Sequence, residues 1–393
     1  MRNFLKKIVL KSRRLPALLC DLLVAMIPVH GPRKGIAIVR VDAIGDFILW
    51  LDSAKEFRGI FPNERIILIA NRVWAELARQ FPYWDDVIPV DGRKLAFDFL
   101  YRYRFLTLIR KKGFHTAVQP TYSRVCLHGD SIVRATAAQA RIGSVGDLSN
   151  MTRQEKKKSD RWYTELVPAS DKPLMELYRN AEFISNLARR DFVARVAEIP
   201  EDLSDSSFVH EHAYAVLFPG ASWSGKEWPL KNFIATGLAL KDRFDLDIIL
   251  CGDSNDQIRC RKIAAEIGDR CTDLSGKTTL VQLISILRRS ALLISNDTSA
   301  VHIAAAVGLP AVCILGGGHY GRFLPYPEEL TGSRPLCAVH HMPCFNCNWN
   351  CIYPLTEEGA VRCVARVKVG QVMALVEQVA IGLPACHTGS PRG

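Results

Sequence analysis

The chain has 393 residues, 48% of them hydrophobic and 23% charged, with 20 prolines and a formal net charge of +11. This length exceeds one ordinary domain and suits two cores, and the composition excludes a disordered, collagen-like or repeat chain. The positive charge asks for an anionic partner but leaves open whether that is nucleic acid, an acidic membrane surface, or phosphorylated sugars and nucleotides.

Residues 1–34 read as a basic amphipathic extension. Arg2, Lys6, Lys7, Lys11, Arg13 and Arg14 are mixed with Phe4, Leu5, Ile8, Val9 and Leu10, and residues 15–29 then run mostly apolar. The run falls short of the roughly 20 residues that span a bilayer, and Asp21 interrupts it. A secretory leader would have a similar outline, but no small-x-small cleavage site follows before Gly31. Two expectations stand ahead of that leader: an interfacial helix resting on anionic lipid, or a surface helix packed on the first domain.

Short β-branched runs at Ile36–Val41, Ile66–Ala70, Val87–Val90 and Thr116–Gln119 alternate with helical stretches, predicting a parallel sheet wrapped by helices over 35–197. The acidic, aperiodic stretch 198–212 reads as a linker. The series restarts at Tyr214–Phe218, Asp247–Cys251, Leu292–Ser295 and Ala311–Leu315, predicting a second α/β domain over 213–335. A Cys-rich segment, 336–365, and a helix with a tail, 366–393, follow. Ligands of open parallel sheets bind beyond the carboxyl ends of strands, so the loops after Val41, Phe218, Ser295 and Leu315 are where chemistry is expected.

The first such loop, "RVDAIGDFILW", spans 40–50. Asp46 is expected at a helix N-terminus, either as a plain cap or as a general base that projects into an interdomain cleft and takes a proton from an acceptor hydroxyl. The second, "LFPGASWSGKEWPLKNF" at 217–233, sets Gly220, Ser222 and Ser224 ahead of Lys226. Small residues let phosphate oxygens approach backbone N–H groups, and Lys226 adds a charge for a departing diphosphate without a metal. The alternative is an ordinary turn with a surface lysine.

In the third, 293–325, Asp297 is placed to cap a small-residue helix while Thr298 and Ser299 face a diphosphate or sugar; His302 is either part of that site or a core histidine. Gly317 and Gly318, within a triplet of glycines, suggest close backbone approach to a ligand. "LSGKTT" at 274–279 resembles a P-loop, but Cys271 stands where the Walker pattern needs glycine; the acidic pair Asp245 and Asp247 leads directly into an apolar strand. No other carboxylate pair suggests a divalent ion.

Of twelve cysteines, seven are scattered, as packed thiols in a reducing compartment would be. Cys344, Cys347, Cys351 and Cys363 follow a C-x2-C-x3-C-x11-C pattern compatible with structural zinc or an iron–sulfur cluster, with packed thiols or a disulfide as the other readings.

Taken together, "RVDAIGDFILW", "FPGASWSGKEWP", "LSGKTTL", "SNDTSAVHIAAAVGLP" and the Cys-rich segment resemble, in this order over roughly residues 35–380, glycosyltransferase family 9, the ADP-heptose:lipopolysaccharide heptosyltransferases. The resemblance implies a GT-B fold: two Rossmann-like parallel-sheet domains facing a cleft, the first binding acceptor and the second the nucleotide-sugar donor. It implies an inverting, metal-independent transfer with no cofactor required, of a heptose from ADP-heptose onto lipopolysaccharide core or a related envelope glycan.

By that likeness Asp46 is the base, Arg40 and Asp42 belong to the acceptor side, Lys226 meets the diphosphate, and Asp297, Thr298 and their neighbours hold the donor. Ser299 replaces the family's usual glycine, and "GGGHYGRF" replaces its Gly-x-Thr type of turn. The implied partners are a nucleotide sugar, a glycolipid or lipopolysaccharide acceptor and an anionic membrane surface, with no nucleic acid, since the charge is diffuse and no recognition motif is present. The implied place is cytoplasmic, peripheral at the inner face of the cytoplasmic membrane. Alternatives are a GT-B transferase for a UDP- or GDP-hexose and a catalytically silent GT-B interaction protein.

Overall fold

In the computed structural model the described residues are 15–380 apart from Ser204, Ser206 and Ser207; the expectations for residues 1–14 and for the tail beyond 380 lie outside them. The chain divides into two compact units, Met1–Arg195 and Val196–Gly393. Each is built on one six-stranded, all-parallel sheet.

In the N-terminal unit the strands are β1 (Ile36–Arg40), β2 (Ile66–Asn71), β3 (Asp86–Val90), β4 (Thr116–Gln119), β5 (Ala140–Ser144) and β6 (Glu165–Val167), in spatial order β3-β2-β1-β4-β5-β6. The C-terminal unit repeats the design with β7 (Tyr214–Phe218), β8 (Asp247–Leu250), β9 (Cys271–Asp273), β10 (Leu292–Asn296), β11 (Ala311–Leu315) and β12 (Leu336–Val339), ordered β12-β11-β10-β7-β8-β9.

The central strands β1, β2, β7, β10 and β11 are buried along both faces except at Asn71 and Phe218. Helices cover both sides of such sheets, which is why these strands read as continuous apolar runs. The strands not anticipated from sequence, β5, β6, β9 and β12, lie towards the sheet edges. They carry Arg141, Glu165, Thr272 and Cys337, so they lack the apolar run that marks a central strand.

The division falls slightly before the expected linker. The Val196 N–H donates to the Thr331 carbonyl at 3.0 Å and that of Ile199 to Ala306 at 2.8 Å, so these residues belong to the second core. The P-loop-like stretch proves to be a turn ending in a helix cap: Thr279 and Gln282 form a capping box on helix Leu280–Arg289. Asp245 and Asp247 both pair with Arg270, at 2.6 and 2.5 Å.

Candidate active site

In the N-terminal unit β1 ends at Arg40 and helix Ile44–Ala54 begins four residues on, earlier than expected, with Ala43 as its N-cap. Asp46 is therefore not the cap. It lies in the first helical turn, partly exposed, where the helix dipole favours a carboxylate. Below it the helix buries Phe47, stacked on Trp74 at 4.1 Å, and Trp50, stacked on Trp84 at 6.1 Å; these rings hold the helix, and so Asp46, against the start of helix Ala75–Ala78 and the turn that leads into β3.

Arg40 is fully enclosed, with its Nε 2.8 Å from Asp42 Oδ2, its Nη1 donating to Asn180 Oδ1 at 3.3 Å and its Nη2 to the Asp46 carbonyl at 3.3 Å. Its place is beneath the loop, tying Asp42 to the turn that carries Asp46. Asp42 keeps a partly exposed carboxylate that also accepts from Thr121 Oγ1 at 3.0 Å.

Sequence reasoning missed a cavity of about 330 Å³ on this unit, lined by Arg93, Phe97, Cys126, His128, Asn150 and Glu155 among others. It opens between the segment after β3 and a π-helical turn, Cys126–Asp130, after β4, and thus on the carboxyl side of strands flanking β1 and β2. Burial lowers the pKa of His128, so this wall is an uncharged imidazole near neutral pH. The irregular turn left no period to find.

In the C-terminal unit Lys226 closes a short 3-10 turn, Ser224–Lys226, after β7. Its ammonium donates to Asp297 Oδ2 at 2.9 Å and lies 4.6 Å from the centre of the Trp349 ring. Asp297 follows β10, and the fully buried Asn296 fastens the two loops together: its Nδ2 donates to the Pro219 carbonyl at 2.7 Å and its Oδ1 accepts from Trp228 N–H at 3.0 Å. Ser222 and Ser224 are exposed on the same loop, whereas Gly220 is buried.

Thr298, and not Asp297, caps helix Ser299–Ala306, its hydroxyl accepting from Ala300 N–H at 3.3 Å. Asp297 is thereby released to meet Lys226. Ser299, partly exposed, opens the helix. His302 is buried beneath it, stacked on Tyr326 with its Nδ1 2.9 Å from the phenol oxygen. Burial pushes the His302 pKa down to about 4.

The glycines have a different explanation from the expected one. A Cβ on Gly317 would sit 2.1 Å from the Phe345 ring and one on Gly318 2.3 Å from Trp349, so what approaches this backbone is the Cys-rich segment. Asn346 and Asn348, both with positive φ, donate their N–H groups to the Gly317 and Gly318 carbonyls at 2.7 and 2.9 Å. Gly220 is likewise crowded by the Asp256 carboxylate, 2.1 Å from the place of its missing Cβ. The segment's packing also carries Trp349 to Lys226, a contact that nothing in the spacing announced.

Cys344, Cys347, Cys351 and Cys363 line one small cavity together with Phe345 and Trp349, and no disulfide joins the described cysteines. Four thiols around one space suit a soft ion by donor chemistry. As the side chains stand, no three His, Cys, Asp or Glu groups among the described residues are gathered closely enough to hold a metal.

Two consecutive six-stranded parallel α/β units, each with its polar residues in the loops beyond the strands, define the GT-B class of glycosyltransferase folds. The model of glycosyltransferase family 9 (heptosyltransferase) matches residues 131–351, more than half of the sequence, and the chain belongs to that family. The match takes in Lys226, Asp297 and the first three cysteines of the cluster, and leaves Asp46 outside.

Lipopolysaccharide heptosyltransferase 3 of Escherichia coli (strain K12) is 28% identical over 181 residues, 43% of this chain and 51% of that protein, so the chain spans about half the length of this relative. Lipooligosaccharide heptosyltransferase 2 of Haemophilus ducreyi (strain 35000HP) is 20% identical over 70% of this chain and 80% of its own length. Among solved structures, E. coli ADP-heptose lps heptosyltransferase II superposes with a TM-score of 0.60 at 16% identity, covering 88% of this chain and 99% of that one. The iron-containing dodecameric heptosyltransferase TibC gives 0.53 at 14% identity, covering 91% and 78%.

Proposed function

We propose that this protein is an inverting, metal-independent transferase that moves a heptose from ADP-heptose onto lipopolysaccharide core or a related envelope glycan at the inner face of the cytoplasmic membrane. The observation that carries the reading is the Lys226–Asp297 pair at the carboxyl end of the second sheet, with Trp349 against the ammonium, inside the span matched by the heptosyltransferase family. Gly220, Ser222, Ser224, Thr298 and Ser299 lie in or next to the same loops, while Gly317 and Gly318 make room for Phe345 and Trp349 and His302 is buried against Tyr326.

The chemistry follows from these groups. An acceptor hydroxyl oxygen attacks the anomeric carbon, its proton passes to the Asp46 carboxylate, and the bond from that carbon to the diphosphate oxygen breaks. The electron pair leaves on the nucleoside diphosphate, whose added charge is met by Lys226. Direct displacement inverts the anomeric centre. Arg40 and Asp42 position Asp46, and the cavity beside His128 and Arg93 is the place for the acceptor sugar or its phosphate. Cys344, Cys347, Cys351 and Cys363 would hold a structural zinc or iron outside the reaction, a reading favoured by their sharing one cavity and by the iron that TibC contains.

The test is nucleoside diphosphate release from a panel of ADP-, UDP- and GDP-sugars. ADP-heptose is expected to turn over, and Asp46→Ala to lower turnover by about 10²–10⁴ with donor binding kept. Preference for a UDP- or GDP-hexose would replace the heptose reading, and undiminished turnover in Asp46→Ala would remove the base.

A further inference from the structure

The helix described over 15–26 presents its apolar side to solvent. Leu15, Leu19, Leu22, Leu23 and Met26 are 65, 50, 50, 51 and 79% exposed, and their spacing of i, i+4, i+7, i+8 and i+11 places them on one helical face. The opposite face, Ala17, Cys20, Asp21 and Val24, is buried. Asp21 is fastened to Arg102 by two hydrogen bonds of 2.8 and 2.9 Å, and Arg110 Nη2 donates to the Ala25 carbonyl at 2.7 Å. These contacts lay the helix alongside helix Phe99–Lys111 on the first sheet, so the leucine face cannot turn inward without breaking a buried ion pair.

The neighbouring elements continue the surface. Phe97, Phe99, Leu100 and Tyr103 are exposed, and Arg93, Lys94, Arg104, Lys111 and Lys112 are exposed among and beyond them. Asp98 is the acidic exception, committed to capping the helix through Tyr101 N–H at 3.0 Å. The fourteen residues preceding the leucine face add six basic side chains and no acidic one. Soluble monomers seldom leave an apolar face of this extent uncovered.

We infer that this face is a docking surface for an anionic phospholipid bilayer: the Leu15–Met26 stripe sinks into the headgroup boundary while the arginines and lysines around it meet lipid phosphates. The twelve described residues of this helix span about 18 Å, and their opposite face is held on the protein by the buried Asp21–Arg102 pair, so this part of the helix lies in the interface plane with only its leucine side towards lipid. A second copy is disfavoured as the occupant, because two-fold pairing would set the same basic residues against each other. The inference deepens the proposed membrane-acceptor reading, for it would bring the first unit to the surface where a glycolipid resides.

The test is sedimentation of the full chain with phosphatidylcholine vesicles, with and without phosphatidylglycerol, in the absence of donor and acceptor. Binding to the anionic vesicles that salt weakens is expected. Leu19→Gln combined with Leu23→Gln should lower the partition coefficient by about tenfold, and Met26→Gln alone by a few-fold, with unchanged thermal melting because these side chains are already exposed. Absence of vesicle binding, or binding by both variants equal to that of the wild type, overturns the inference. So does a concentration-dependent dimer that the variants abolish without any vesicle binding. Donor hydrolysis measured without vesicles reports on the catalytic reading separately, so either can fail alone.

Discussion

Acidification should expose the placement of His302. Burial holds this imidazole at a pKa of about 4 in the folded protein, below its ordinary value near 6.5, and its ring is occupied by Tyr326. Above about pH 6.5 it is neutral in both folded and unfolded chains and contributes nothing to pH dependence. As pH falls below that value the unfolded chain takes up a proton that the folded one refuses, and stability is lost until the pH reaches the folded pKa. At about 1.4 kcal/mol per unit, the loss from this one group amounts to about 2 kcal/mol at pH 5 and about 3 kcal/mol at pH 4.

Burial also lowers the pKa values of His128 and His319, so the comparison has to be made against a variant. His302→Gln retains a hydrogen bond to the phenol and cannot titrate. Urea unfolding of both proteins between about pH 7 and pH 5 should show the gap between them shrinking by about 2 kcal/mol as the wild type loses its advantage. Parallel stability curves would refute the burial argument and return His302 to the solvated loop as a donor contact.

Asp21→Ala should destabilise the first unit by about 3–5 kcal/mol in urea titrations, because it strands the buried Arg102 guanidinium, and Arg102→Met in the same chain should recover much of the loss. Lys226→Ala should weaken nucleoside diphosphate binding by about 10–100-fold in calorimetry, the worth of a charge-assisted contact, and Trp349→Ala by about threefold to tenfold through loss of the ring under the ammonium. Protein purified without chelator should carry about one equivalent of zinc or iron on its four clustered thiols; less than about 0.2 equivalents would remove the metal reading.

Most of the fold and the loops that carry the candidate site were legible because they are written locally. Buried parallel strands are continuous apolar runs, and "RVDAIGDFILW" runs unbroken from the last residue of β1 into the helix that follows it, so strand, loop and Asp46 were readable together. The loop after β7 was visible for the same reason. Local reading failed where the chain begins a helix without a side-chain cap, as at Ala43, and where two adjacent residues compete for one role, as Asp297 and Thr298 did.

What the amino-acid order determined by itself was the succession of two parallel-sheet units and the loops that bear their polar residues, since strand burial and turn chemistry act over a few residues. Tertiary structure alone decided what fills those loops. Phe345 and Trp349 occupy the space beside Gly317 and Gly318 that a ligand was expected to claim, and Asp21, which looked like an interruption of an apolar run, is the buried counterion of Arg102 eighty-one positions away. Such partners meet only when distant elements pack, and no periodicity along the chain records them.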